Sequence, residues 1–392
     1  MAYAPTWLRE VSIAPRTAPA EIKRGCRYVC ADAGGDDSAD INSFVDDIIT
    51  RFETAGGAQS SSVWNRPAVH MVPGLYTAKT SILARRVRLE TNGAEFKAHS
   101  ALAALSGVNR SIFRIEYAGS GDPVDNFVVA GQPVINGNSL LVHGIYANIT
   151  AQGANFDGKP DPQIMFDGAL LYSCGLIGLY GIGSQLRECR FPNLHCWNGD
   201  PAGGGYAAVD WSGTDSWFDD ISVGSQGTGS AIVSPGVVIR SANNFVTGES
   251  WLNRGNGLEV RAADNFVPHF ISHDNYGHGV YVSGDRNMIF ALTYNNGNAA
   301  ANTYDGVNAA SDGVLIISLG EDHTTSEHAA NTQRSVISAS SVEGSLLLAL
   351  AKAGLTDTTN AIRGTPSTSQ NWYRGVRSAG GNVGTVPNAS AN

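Results

Sequence analysis

The chain reads as an all-β protein, a right-handed parallel β-helix, and two repeating patterns predict that class. Three short segments recur at nearly equal spacing: Gly236-Val-Val-Ile-Arg, Gly257-Leu-Glu-Val-Arg and Gly279-Val-Tyr-Val-Ser. An asparagine marker keeps the same step at Asn244, Asn265 and Asn287, and a second marker follows nine residues later at Asn253, Asp274 and Asn296. A repeat of this length is a supersecondary unit too small to bury its own apolar face, so it must stack on its neighbours to form a continuous core.

Within each segment the side chains alternate. Val237, Ile239, Leu258, Val260, Val280 and Val282 fall on one side and are expected inside. The residues between and after them, Val238, Glu259 and Tyr281, then Arg240, Arg261 and Ser283, form the outward columns. Adjacent parallel strands lie about 4.8 Å apart, which places Glu259 beside Arg240, Arg261 and Tyr281 on one exposed sheet. Asn and Asp tolerate left-handed geometry and bond to nearby backbone, so the marker residues suit corners between rungs. Gly313-Val-Leu-Ile is expected to be the following rung, displaced by an inserted loop over 298–312.

The rest of the chain follows in order. Residues 1–35 show no period and contain Pro5, Pro15 and Pro19, as a leader or attachment segment would. Ile41, Phe44, Val45, Ile48, Ile49 and Phe52 form a stripe at helical spacing, which predicts a capping helix over 38–53 with Ser38 as N-cap and Gly56-Gly57 as its stop. Pro73-Gly74 marks a turn, and Val87–Phe96 alternates as a first rung. The solenoid is expected through residue 345. Leu346, Leu347, Leu348 and Leu350 suggest a short helix over 341–353, and the polar remainder to 392 reads as a C-terminal cap, with Trp372 and Tyr373 as its anchors.

Composition narrows the function classes. With 46 Gly, 16 % charged residues and 42 % hydrophobic ones, the chain has the profile of a turn-rich folded protein. A net charge of −9 without a basic cluster argues against a nucleic-acid partner, and no apolar run reaches the length of a membrane span. No secretory signal is visible at the start. Five cysteines, Cys26, Cys30, Cys174, Cys189 and Cys196, lack paired zinc spacing and are expected as buried thiols, with a Cys26–Cys30 bridge left open.

The order Asp32-Ala-Gly-Gly-Asp-Asp-Ser-Ala-Asp-Ile, amphipathic helix, Val72-Pro-Gly-Leu-Tyr, then Val87-Arg-Leu-Glu-Thr-Asn-Gly-Ala resembles the N-terminal cap of the pectate-lyase-like superfamily, in the form found in phage tailspikes and capsule depolymerases. The motifs cover about residues 28–100; the remainder is similar only in rung texture. The glycine-rich stretch departs from the family pattern, which carries a longer loop there. The resemblance implies an elongated, usually trimeric, carbohydrate-facing protein, at the virion surface or otherwise outside the cell, with its N-terminus available for virion attachment. It implies no particular chemistry, since one fold hosts many functions.

For glycan hydrolysis two carboxyls must flank the scissile bond. The candidates are Asp219, Asp220, Glu249 and Glu259. Strand alternation lets only one of Asp219 and Asp220 face an outward site, and the half-rung separation of Glu249 from Glu259 sets those two on different faces. Candidate sugar contacts are Trp217, Trp251, Arg240, Arg254, Arg261, His273, Asp274 and Tyr281, with Trp197, Trp211 and Tyr276 as further aromatic platforms. For each acid the competing reading is a turn or surface residue, and for Glu259 with its arginines a salt-bridge ladder between rungs. His269, His273 and His278 lie on a strand-turn-strand path rather than one helix face, which speaks against a metal site, and no cofactor is implied. The leading expectation is a tailspike-like polysaccharide hydrolase. A lyase working through the arginines and Tyr281 is the alternative enzyme, and a non-catalytic binding fibre the alternative class.

Overall fold

The computed structural model describes residues 11–13, 36–54, 68–85, 87–119, 127–151, 163–201, 203–228, 233–300, 303–321, 333–339, 342–352, 361–364 and 372–377. They fall into two compact units, Met1–Cys196 and Trp197–Asn392, and within each unit every pairing between strands is parallel. The fold is a right-handed parallel β-helix.

In the first unit three ladders of short strands supply the core. Val69, Leu89, Val129 and Phe166 align in one, Tyr76, Phe96, Ile135 and Leu171 in the second, and Ile82, Phe113, Ile145 and Leu179 in the third. All twelve are buried. Phe96 and Phe166 both meet Phe113 edge-on, at 5.0 and 5.4 Å between ring centroids, a favoured geometry for aromatic cores. Cys174, Cys189 and Cys196 are free thiols buried in this unit; Cys26 and Cys30 lie outside the described residues.

The helix spans Asp37–Thr54 and buries Ile41, Phe44, Val45 and Ile48. Its cap is Asp36 rather than Ser38: the Asp36 carboxylate accepts the Ser38 N–H (3.2 Å), the Lys79 N–H (2.9 Å) and the Thr80 hydroxyl. Asp37 accepts the Thr77 N–H at 2.6 Å. Asn42 bonds the Ser81 carbonyl and the Leu83 N–H, both at 2.8 Å. The acidic motif that carried the family resemblance is thus a clamp satisfying backbone at residues 77–80, which ties the capping helix to the strands behind it. Val87–Phe96 is two strands rather than one, divided at the Asn92-Gly93 corner, where both residues have positive φ. Val11–Ile13 pairs with Val69–Met71, so the leading segment adds one short strand.

In the second unit each rung has one short and one long strand. The short strands align Val209, Val237, Leu258, Val280, Val307, Ile337 and Ile362. The predicted inward set, Val237 to Val282, is fully buried. The rung after Gly279 begins at Gly306, later than the regular step would place it, and Gly313 instead occupies a corner at φ +63°. Leu315–Glu321 continues the long strands, and so does Leu346–Ala351. The leucines at 346–350 therefore form a strand rather than a helix. Leu347 faces in while Leu346, Leu348 and Leu350 face out.

Stacked amides hold the corners. The Asn244 side chain accepts the Ser216 N–H at 3.0 Å, Asn265 accepts that of Asn244 at 2.9 Å, and Asn287 that of Asn265 at 2.7 Å. The second ladder runs Asn253, Asn275, Asn296, one residue off the predicted Asp274. A buried amide that satisfies backbone in two rungs is costly to remove, because the orphaned donors cannot reach water. Asn265→Ala deletes acceptors for Asn244 and donors to the Ala262 and Ala263 carbonyls. It is expected to cost about 2–4 kcal/mol, checked by urea unfolding.

Candidate active site on the long-strand face

The long strands of the second unit align their outward residues in four columns. The first holds Trp217, Phe245, Phe266, Met288, Leu315 and Leu346. In the third, Ser222 and Glu249 give way to Ile271, Leu292, Leu319 and Leu350. In the fourth, Gly224, Trp251, His273, Tyr294 and Glu321 follow in successive rungs. The face is polar, acidic and aromatic over its early rungs and apolar over its later ones.

A β-bulge shapes the acidic end. Asp219 and Asp220 together oppose the single residue Thr247, between the pairs Phe218–Val246 and Ile221–Gly248. Asp220 takes the left-handed conformation at φ +56°, the extra residue being what a bulge inserts to re-aim side chains. Both carboxylates are exposed, where strict alternation would have turned one inward. The Thr247 hydroxyl donates to Asp219 Oδ1 (3.2 Å) and accepts the Asp220 N–H (2.8 Å). Glu249 stands in the adjacent rung, two residues beyond Thr247, half-buried, with Oε1 accepting the Ser222 hydroxyl at 2.9 Å. One rung of about 4.8 Å and two residues of about 3.3 Å each put the Asp219–Asp220 backbone about 8 Å from that of Glu249.

The fourth column is a stack of rings. Trp251 and His273 lie parallel (11°) at 6.3 Å, and His273 and Tyr294 parallel (10°) at 4.6 Å. Trp197 meets Trp251 edge-on at 6.3 Å and is 42 % exposed; Trp217 is 40 % exposed. With their faces against one another, Trp251, His273 and Tyr294 offer edges and polar atoms, whereas Trp197 and Trp217 leave surface for the C–H face of a sugar. His273 Nδ1 is 2.7 Å from Asp274 Oδ2. Asp274 sits at a left-handed corner (φ +55°), and because Asn275 takes the ladder position, the Asp274 carboxylate is left to hold the imidazole. Burial, then the negative charges of Asp274, Glu249 and Glu321, push the Tyr294 phenol above its ordinary pKa. It therefore stays a hydrogen-bond donor at neutral pH.

Gly224 makes room for the stack. A Cβ there would lie 2.4 Å from the Trp251 indole, so that ring leans over a rung whose residue has no side chain. Gly224→Ala is expected to displace Trp251 and to weaken glycan binding about tenfold or more without unfolding the chain, read by intrinsic fluorescence and a binding isotherm.

The sequence-predicted site residues divide between two sheets. Asp219, Asp220, Glu249, Trp217, Trp251, His273 and Asp274 share the long-strand face or its edge. Glu259, Arg240, Arg261 and Tyr281 belong to the short strands or their ends, so Glu259 has no shared face with Asp219 or Asp220. Glu259 is buried and already partnered, by Arg261 and by the Asn256 amide at 2.9 Å. Arg240 forms a bidentate pair with Asp210 rather than with Glu259. Arg254 packs over the Tyr276 ring at 3.7 Å, and Trp211 is core. The three histidines are not gathered: His269 is exposed, His273 is in the stack, and His278 accepts the Asp305 N–H at 2.9 Å. Sequence reasoning missed Tyr294, Ser222 and Thr247, whose alignment with the acids and rings depends on register. For Tyr294 a signal existed, since it falls one repeat step after His273.

The architecture is a right-handed parallel β-helix. No family model and no curated protein matches the chain. Among solved structures, the A-module of the Azotobacter vinelandii mannuronan C-5 epimerase AlgE4 is similar, with a TM-score of 0.60 at 15 % identity over 88 % of this chain and 93 % of that one. The tailspike of Escherichia coli bacteriophage HK620, solved with a pentasaccharide, gives 0.52 at 12 % identity over 88 % of this chain and 64 % of that one. The enzymatically active domain of bacteriophage CBA120 tailspike protein 2 gives 0.50 at 12 % identity over 87 % and 50 %. The chain therefore spans about half to two thirds of these two tailspike structures. Identities this low establish a shared fold.

Proposed function

We propose that the protein is a tailspike-like polysaccharide hydrolase, displayed on a virion or otherwise outside the cell, that binds a surface glycan along the long-strand face. The observation that carries the reading is the bulged, exposed Asp219–Asp220 pair on the same face as Glu249 and one rung from it, with the exposed indoles of Trp197 and Trp217 on that unit. Hydrolysis with inversion needs two carboxyls on either side of the scissile bond with room for a water between them. Glu249, half-buried and bonded to Ser222, is assigned as the acid that protonates the leaving oxygen. The exposed aspartates are assigned to the attacking water, with Asp220 or Asp219 taking its proton. Tyr294 donates to a sugar oxygen, and His273, its Nδ1–H held by Asp274, accepts a sugar hydroxyl at Nε2. The route uses two carboxyls and one water and needs no cofactor.

Incubation with capsular polysaccharide and lipopolysaccharide glycans, following reducing ends and unsaturated uronate together, tests this. Reducing ends without the ultraviolet chromophore support hydrolysis; the chromophore supports elimination instead. Binding without either product supports a non-catalytic fibre.

The same proposal includes a homotrimer. Met288, Phe290, Leu292, Ile317, Leu319 and Leu350 stand together on the outward side of neighbouring long strands, and contiguous apolar surface of this kind marks an association site. Leu319→Glu is expected to turn trimers into monomers in sedimentation velocity; trimers persisting in the variant would remove this face from the interface.

A further inference from the structure

The second ladder of the first unit brings an amine, an amide and a carboxylate together. Strands Glu95–Ala98 and Val134–Asn136 lie in adjacent rungs, with Glu95 opposite Val134 and Lys97 opposite Asn136. Phe96 and Ile135 are buried in the core, so Glu95, Lys97, Val134 and Asn136 take the outward side. Paired residues on adjacent parallel strands stand about 4.8 Å apart. The flexible four-carbon stem of a lysine spans such a gap with length to spare.

Both polar ends of the Asn136 amide are held. Its Oδ1 accepts the Asn138 N–H at 2.7 Å, and its Nδ2 donates to Glu95 Oε1 at 2.7 Å. The same Glu95 oxygen accepts the hydroxyl of Tyr172, which pairs with Asn136 from the following rung, at 2.8 Å. Asn136 is buried, while Glu95 and Lys97 are half-buried. Lys97 makes no ion pair or hydrogen bond among the described residues. Three parts of an acyl transfer therefore surround one carbon, Asn136 Cγ. A backbone N–H sits where charge gathers on Oδ1 when that carbon is attacked. A carboxylate touches the nitrogen that must leave. An amine stands in register with the amide.

We propose that Lys97 and Asn136 join through an isopeptide bond, a covalent link between consecutive turns of the coil, with Glu95 as its proton carrier. Lys97 Nζ, as the neutral amine, adds its lone pair to Asn136 Cγ. The carbonyl pair moves onto Oδ1, held by the Asn138 N–H. Glu95 takes one proton from Nζ and passes it to Nδ2; the carbonyl then reforms and the bond from Cγ to Nδ2 breaks. Amine and primary amide become one secondary amide and one ammonia, with no oxidant and no cofactor. Strand register replaces the encounter of the two groups, which is the costly part of such a reaction in solution.

The Asn136-Gly137 pair has a competing reaction, attack of the Gly137 nitrogen on the same Cγ to close a succinimide, also with loss of ammonia. That nitrogen donates to the Tyr172 carbonyl at 2.9 Å and is held in the ladder. Gly137 itself is there for packing, since a Cβ would lie 2.4 Å from the Ser173 carbonyl oxygen. The link shares no residue with the hydrolytic assignment.

The test is mass spectrometry of the purified natural chain, intact and after proteolysis. The intact chain is expected to be lighter than its sequence by one ammonia, and the digest to hold a branched peptide joining Lys97 to Asn136. Lys97→Arg, which keeps the charge but not the amine, and Glu95→Gln, which keeps the shape, should each run at full sequence mass. Circular dichroism establishes that both are folded. A natural chain at full mass, with separate Lys97 and Asn136 peptides, would overturn the assignment. So would an ammonia deficit that persists in Lys97→Arg, the mark of a succinimide at Asn136-Gly137. A branched peptide formed in full by folded Glu95→Gln would overturn the role given to Glu95.

Discussion

Glu249→Gln is expected to lower the rate of glycan hydrolysis by about 10²–10⁴-fold, the usual contribution of a positioned general acid, while leaving glycan affinity within a few-fold. The amide keeps the shape and can still accept the Ser222 hydroxyl, but it has no proton to give the leaving oxygen. Initial rates of reducing-end formation and a binding isotherm on the same preparation check both halves. A matching loss is expected for Asp219→Asn combined with Asp220→Asn. The single variants should lose less if either exposed carboxylate can reach the water. Glu259→Gln is the contrasting case. It weakens a buried pairing with Arg261 and Asn256 and should show first in stability, with activity per folded molecule retained. Loss of turnover in Glu259→Gln with Glu249→Gln fully active would overturn the site assignment.

Acidification is expected to destabilise the fold between about pH 6.5 and about pH 4. Burial pulls the His143 imidazole down to about 4, assisted by Arg110, and burial also lowers His278, with Arg334 adding to it against the opposing pull of Asp305. Both depressions have one sign. Below the ordinary histidine value of about 6.5 the unfolded chain takes up protons that the folded chain refuses, so stability falls as pH falls. For His143 the loss is complete near its folded value and amounts to roughly 3 kcal/mol. His278 has a structural stake as well, since its Nδ1 accepts the Asp305 N–H. Melting temperatures from pH 7.5 to 4.5 should fall, and His143→Gln should flatten the slope. A flat profile in the natural chain would contradict the burial argument.

Much of the architecture was legible because a solenoid repeats its instructions. The step from Gly236 to Gly257 to Gly279 fixed the short ladder, and alternation after each glycine correctly set Val237, Leu258 and Val280 inside. The capping helix was readable from its stripe, although the cap itself lay two residues earlier, at a carboxylate whose job is to satisfy distant backbone. The step failed where insertions entered: past residue 298 the next short strand was delayed to Val307, and Gly313 stood at a corner. The leucines at 346–350 looked helical because outward positions on this face are apolar too, which erases the period-two signal.

The site was legible in pieces. Trp217, Trp251, Glu249, His273 and Asp274 were singled out one by one, yet which of them share a face depends on which sheet each rung segment joins. That is set by corners whose length varies, so Glu249 and Glu259 could be separated by sequence spacing but not assigned to partners. The bulge was invisible: nothing in Trp-Phe-Asp-Asp-Ile announces that two residues will oppose one, and that count decides whether both aspartates face out. The Asn275 substitution for Asp274 in the ladder was a one-residue shift, and it frees a carboxylate to orient His273.

The amide ladders also give the coil a direction. Each asparagine serves the N–H of the rung before it, Asn265 that of Asn244 and Asn287 that of Asn265. Trimming the coil from its C-terminal side strips the side-chain acceptor from a main-chain N–H in the rung left behind, whereas trimming from the N-terminal side leaves an asparagine side chain without its main-chain partners, as Asn287 would lose the Asn265 N–H and the Ala262 carbonyl. The two ends of the coil thus expose different groups, main-chain N–H at one and side-chain amides at the other. In amide exchange, a lesion in one rung would report about one turn upstream of the residue that was changed.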